Sequence, residues 1–172
     1  MLLLATIFAI GRYFGCTTYK NTDKPINPHF FYEQAVEMMD SGLIDIQSHT
    51  YDMHQSELLE QMQPIRETML PVAGESKQQY QRAFCTDFAT YQRDYSMHTG
   101  KQLYALAYPK GAYSAYTEQL AHRLGYAITF TTKKDKINRV AAKDPTSLYA
   151  LGRFSVSENT TREELLGYLQ QE

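Results

Sequence analysis

The 172-residue chain predicts an α/β fold with mainly parallel strand pairing, on three observations. Short apolar runs recur at residues 1–10, 43–48, 102–108 and 127–131, bounded by Gly, Pro or Ser. Between them lie longer segments with apolar residues three and four positions apart, the spacing of an amphipathic helix. The two kinds alternate along the chain, which is the pattern of strand–helix–strand units.

The run over residues 1–10 reads as a buried strand, and Gly11 opens its exit turn. It does not read as a signal peptide, because no basic residue precedes it and Arg12 interrupts it. It is also too short to span a bilayer. Residues 12–28 carry Gly15, Asn21, Asp23, Pro25, Asn27 and Pro28 and read as loop. Residues 29–41 read as a helix with Phe30, Phe31, Val36 and Met39 on one stripe and Gly42 as its cap. Residues 43–48 form the second strand, with Ile44 and Ile46 alternating against Asp45 and Gln47.

Leu58, Leu59 and Met62 have near-helical spacing, and Pro64 and Pro71 interrupt the chain after them. Residues 76–97 read as a long amphipathic helix, with Tyr80, Phe84, Phe88, Tyr91 and Tyr95 as a core face and Gly100 as the stop. A strand over 102–108 leads into the tight turn Pro109-Lys110-Gly111. Residues 114–124 read as a helix with Tyr116, Leu120 and Leu124 inward, capped by Gly125, and 127–131 as a strand. The basic stretch with Lys133, Lys134, Lys136, Arg139 and Lys143 reads as a solvated loop, and 147–156 as a last strand. Thr160 with Glu163 predicts a capping box ahead of a final helix over 162–170.

This length suits one domain spanning 1–172, and 43% hydrophobic with 13% aromatic residues excludes a disordered chain. A net charge of −2 excludes nucleic acid as a partner recognised by bulk electrostatics. Fourteen Tyr and no Trp suit half-buried core edges and equally suit sugar stacking. Cys16 and Cys85 lie far apart and read as two free thiols, with a disulfide left open.

The stretch Ser48-His49-Thr50-Tyr51-Asp52-Met53-His54 comes directly after the second strand. Two imidazoles five positions apart across a turn can converge on one cation, and neutral imidazole is the commonest protein ligand of zinc-like metals. The same spacing also suits two unrelated surface imidazoles. Thr50 can brace the turn through its hydroxyl, and Asp52 can orient an imidazole. His29, His98 and His122 fit no motif.

His-Thr-x-x-x-His after a strand resembles the metal-binding motif of the polysaccharide deacetylases, carbohydrate esterase family four. Three other stretches fall in that family's order. Ala5-Thr6-Ile7-Phe8-Ala9-Ile10-Gly11 resembles its second strand and turn. Leu106-Ala107-Tyr108-Pro109-Lys110-Gly111-Ala112-Tyr113 resembles its Arg-x-Pro-Tyr-Gly motif, and Leu124-Gly125-Tyr126-Ala127 the helix-to-strand passage beyond it. The resemblance implies an incomplete, distorted (β/α) barrel. It implies metal-dependent hydrolysis of N-acetyl groups from an N-acetylglucosamine polymer, in cell wall or exopolysaccharide, and an extracellular or cell-wall location for the parent protein. His49 and His54 would be two of three ligands to a divalent ion, zinc first, with cobalt or nickel as alternatives. The backbone N–H of Lys110 would face the acetyl oxygen, and Tyr108, Pro109, Tyr113 and Arg153 would contact substrate.

The departures are equally specific. The family's third ligand and its general base are aspartates of a Thr-Phe-Asp-Asp-Gly motif, and no Asp-Asp pair occurs here. Asp45, on the strand before the His turn, stands where the family places no base. Ala107 stands where many members have Arg, Lys110 replaces an aromatic residue, no Asp-Trp pair comes after 127–131, and Arg153 falls where an acid His is expected. Arg153 cannot donate a proton at ordinary pH, though it can pair with a carboxylate or a sugar, or simply sit on the surface. The expectation is therefore a truncated domain or a natural remnant, impaired in hydrolysis, with a sheet edge open to homodimer pairing. A non-catalytic carbohydrate-binding scaffold and a small-molecule amide hydrolase are the rival readings.

Overall fold

The computed structural model describes residues 4–61, 64–132 and 138–170. Four parallel strands lie in sequence order, β1 (Ala5–Ala9), β2 (Ile44–Ser48), β3 (Ala105–Ala107) and β4 (Ile128–Phe130). The register pairs Ile7 with Ile46 and Leu106 with Thr129. Helices α1 (Tyr32–Asp40), α2 (Lys77–Thr99) and α3 (Ala115–Arg123) form the crossovers, and α4 (Arg162–Leu169) comes last. This is an open, unclosed parallel sheet, the incomplete barrel that the resemblance implied. No described helix is long and apolar enough to cross a membrane.

Helix α2 organises the core. Ser76 caps it, its hydroxyl accepting from the Gln79 N–H while the Gln79 side chain accepts from the Ser76 N–H, and Gly100 ends it at φ 67°. Tyr80, Phe84, Tyr91 and Tyr95 are buried as the aromatic spacing predicts. Each buried hydroxyl finds a carbonyl: Tyr80 donates to Met69, Tyr91 to Ala9 and Tyr95 to Ile46. Replacing Ser76 by alanine should cost about 1 kcal/mol of stability, read by urea unfolding, because the hydroxyl is the helix's N-terminal acceptor.

Several elements differ from the sequence reading. Ile46, Gln47 and Ser48 are all buried, so β2 does not alternate. Gln47 is tolerated inside because its carbonyl oxygen accepts the N–H groups of Tyr104 and Ala105, extending the β2–β3 contact where only Ser48 and Leu106 pair. Helix α1 starts at Tyr32, three residues late, and leaves Phe31 exposed. Its Tyr32 ring is sandwiched between Phe14 and His98.

Residues 55–61 form one turn on the Ser56 carbonyl, with Leu58 in solvent. Met62 lies outside the described residues. The strand expected over 147–156 reduces to a single bridge between Leu151 and Phe130, after a short 3-10 turn at Pro145–Leu148. Thr161 with Glu164, one residue later than expected, closes the final capping box. Cys16 and Cys85 are free thiols. Lys133, Lys134 and Lys136 lie outside the described residues, as does the beginning of the first apolar run.

Candidate metal centre and proline turn

The carboxyl ends of β1, β2 and β3 meet at one rim. The His49 N–H donates to the Ala9 carbonyl at 2.8 Å, carrying the β1–β2 ladder one residue past β2. Thr50 then turns the chain with φ 74°, a left-handed conformation that costs a β-branched residue energy. Its hydroxyl accepts the Met53 N–H at 3.0 Å, so Thr50 braces the turn from within.

Both imidazoles are tied back through Nδ1. His49 Nδ1 lies 2.7 Å from the Ala107 carbonyl on β3, and His54 Nδ1 lies 3.1 Å from the Glu67 carbonyl. A carbonyl only accepts, so Nδ1 carries a proton in each ring, and in the neutral form the lone pair is left on Nε2. Burial pushes the His49 pKa down to about 4, against the pull of its carbonyl partner, so the ring is neutral at pH 7. The ring centres stand 5.0 Å apart, nearly perpendicular. With metal–nitrogen bonds of about 2.1 Å, two imidazoles on one tetrahedral ion have centres about 5 Å apart. The ring separation in this structure equals that spacing. No group of three or more His, Cys, Asp or Glu suited to a metal occurs among the described residues.

Asp52 is a correction to the sequence reading. It touches neither imidazole and pairs instead with the Lys20 ammonium. The carboxylate under the loop is Asp87 of α2, which accepts the N–H groups of Tyr51 and Asp52. Desolvation pushes its pKa up to about 6 despite those two donors. Lys20 holds only the Asp52 side chain, whereas Asp87 fastens the loop backbone.

Across the rim, Pro109–Gly111 forms a 3-10 turn with Lys110 at φ 54° and Gly111 at φ 67°. Thr131 donates to the Gly111 carbonyl at 2.7 Å and fixes the turn to the end of β4. A Cβ on Gly111 would stand 2.6 Å from the Thr132 backbone nitrogen, so only glycine fits there. Tyr108 is a second correction. It is fully buried and stacks on Tyr113 at 5.1 Å, so it is a core residue beneath the turn and is shut off from a polymer. Pro109 is buried too, with Lys110 exposed beside it and Tyr113 half-buried against the core.

Glu67 joins the two halves. Its carbonyl holds the His54 ring, and its carboxylate holds the Lys110 ammonium at 2.6 Å. Nothing in the local sequence marks it, because both partners are remote. Arg153 is half-buried, with Nε 3.3 Å from the Thr131 carbonyl and the guanidinium over Phe8. Its charge is a lesser contribution, after burial, to holding His49 neutral. A cavity of about 340 Å³ beside the rim is lined by His54, Glu67 and Lys110, with Tyr13, His29 and Glu60 behind them. His122 stands apart, against Tyr149.

The polysaccharide deacetylase family model matches residues 3–129, which include both imidazoles and the proline turn. The chain belongs to the polysaccharide deacetylase family. Solved deacetylase structures share its fold. The de-N-acetylase from Aggregatibacter actinomycetemcomitans matches with TM-score 0.72 at 21% identity, over 96% of this chain and 64% of its own. IcaB from Ammonifex degensii matches with TM-score 0.70 at 24% identity, over 96% and 61%. The deacetylase domain of BpsB from Bordetella bronchiseptica matches with TM-score 0.58 at 21% identity, over 74% and 53%. This chain therefore spans less than two thirds of the length of each of these structures. No curated protein matches it.

Proposed function

We propose that this chain carries the metal-binding half of an N-deacetylase acting on an N-acetylglucosamine polymer, with His49 and His54 as two of the metal's ligands. The observation that supports this reading is the pair of imidazoles, each tied back at Nδ1, centred 5.0 Å apart. A zinc, cobalt or nickel ion held there would supply Lewis acidity toward an amide carbonyl and its attacking water. The chain's own residues orient the rings through Ala107 and Glu67, and the Lys110 N–H, carried on a left-handed turn, would donate to the acetyl oxygen. Pro109 stiffens that turn. Tyr113 and Arg153 flank the rim as candidate contacts for a sugar ring and its hydroxyls.

Zinc centres in proteins use at least three protein ligands, and here two are in view. No Asp-Asp pair is in the sequence to serve as ligand and base. We therefore infer weak metal affinity and slow turnover for the chain alone, and a substrate in cell wall or exopolysaccharide that places the working protein outside the cytoplasm. A second reading, a carbohydrate-binding scaffold without hydrolysis, is favoured by the missing Asp-Asp pair.

Zinc titration by calorimetry, with acetate release from an N-acetylglucosamine polymer measured in parallel, tests the proposal. One zinc per chain is expected, with affinity lowered roughly 100-fold or more in His49→Ala. A stoichiometry near zero, unchanged by that substitution, would sink it. Retention on the polymer without acetate release would establish the scaffold reading.

A further inference from the structure

The loop between the two imidazoles is held by an acid from a distant helix. Four consecutive backbone N–H groups, those of residues 50–53, each find a side-chain oxygen. Thr50 donates to Ser48 Oγ at 3.1 Å and Met53 to Thr50 Oγ1 at 3.0 Å. Tyr51 and Asp52 donate to the two oxygens of one carboxylate, Asp87 Oδ1 at 2.9 Å and Oδ2 at 2.6 Å. On the other side the Thr50 and Tyr51 carbonyls accept from Gly11 and Arg12. Ser48 and Thr50 act within the loop itself. Asp87 ties it to α2, the longest of the described helices and the one that carries the aromatic core.

Thr50 sits in a left-handed conformation that a β-branched residue resists, so the loop persists only where its surroundings over-determine it. Carboxylate bonds to backbone N–H groups are among the stronger hydrogen bonds, and this one grips two adjacent residues midway between positions 49 and 54. Resting on the function proposed above, we propose that Asp87 is a positioning residue: its bidentate grip on Tyr51 and Asp52 sets the separation of His49 and His54 and hence the chain's affinity for a divalent ion. Asp87 touches neither imidazole. It acts through the backbone.

The variant Asp87→Asn keeps size and one acceptor but turns an amide N–H toward a backbone N–H, breaking the bidentate grip. Zinc affinity at pH 8 should fall about 10- to 100-fold while circular dichroism shows the variant folded. Leu120→Ala, a core truncation on α3, should lower the thermal midpoint and leave zinc affinity within about threefold. Unchanged affinity in Asp87→Asn, or an equal loss in Leu120→Ala, overturns the proposal.

Two measurements need no metal. In the wild-type chain the Tyr51 and Asp52 amides should exchange with deuterium as slowly as those of α2, and fast exchange overturns the proposal even if Asp87→Asn does not fold. Nitrogen-15 shifts of the metal-free chain should show the His54 ring protonated at Nδ1 in wild type and mixed between tautomers in Asp87→Asn. Wild type that takes up no zinc but shows this tautomer shift refutes the metal assignment alone. Zinc uptake indifferent to Asp87 refutes the positioning role alone.

Discussion

Truncating Tyr91 to alanine should cost about 4 kcal/mol, while Tyr91→Phe should cost only about 1 kcal/mol. The ring is fully buried at the centre of α2's inner face, against Tyr95, Phe14 and Tyr51. Removing it leaves a cavity that the rigid β1 end and the Gly11 turn cannot fill. A Cβ on Gly11 would already stand 2.8 Å from this ring, which shows how closely the backbone approaches it. The hydroxyl is worth less, because its acceptor, the Ala9 carbonyl, also receives the His49 N–H and keeps that partner in Tyr91→Phe. Domain stabilities run to roughly 5–15 kcal/mol, so the alanine variant forfeits a large share of the total. Urea unfolding of both variants checks the claim, and similar costs for the two would refute the packing account.

The second large effect is a pair of opposed pH dependences in the metal-free protein. His49 is held neutral by burial, with its pKa lowered from 6.5 to about 4. Between those values the unfolded chain binds more protons than the folded one. The contribution of His49 is therefore present above pH 6.5 and lost on acidification through pH 4, about 3 kcal/mol in all. Asp87 runs the other way, its pKa raised from 3.8 to about 6. Its contribution is present below pH 3.8 and lost as pH rises through 6, again about 3 kcal/mol.

The two windows overlap between pH 4 and 6, so in wild type these effects nearly cancel. Relative to wild type, Asp87→Asn should lose stability on acidification from about pH 6.5 to 4, because His49 is left unopposed. The variant His49→Gln should gain stability over the same range. Chelator-treated samples followed by thermal melts at half-unit pH steps give both curves. Parallel curves for wild type and the two variants would show that neither group is desolvated as described.

Much of the rim is legible from residue order. The apolar run ending at Ser48 and the His-Thr-x-x-x-His spacing put two imidazoles just past a strand, which is where they stand. The proline and glycine of Pro109-Lys110-Gly111 mark the facing turn. Residue order misleads about Asp52 and Tyr108 for a common reason: proximity in sequence is not contact. A residue two positions from an imidazole points elsewhere once Thr50 turns left-handed, and a tyrosine beside an exposed turn is buried when its strand is central. Asp87 carries one faint signal, an acid set among the aromatic residues of an amphipathic helix. Glu67 carries none, since its backbone carbonyl does the orienting and any residue type has one.

Residue order alone determined the alternation of strands and helices, the aromatic face of α2 and the loop that bears both imidazoles, because each of these arises from spacings of two to five residues that act through local geometry. Only the tertiary structure decided which nitrogen of each ring is free, how far apart the rings stand and which acid grips the loop. Those properties depend on hydrogen bonds between groups as much as 58 positions apart, and only the packed sheet brings such groups within reach.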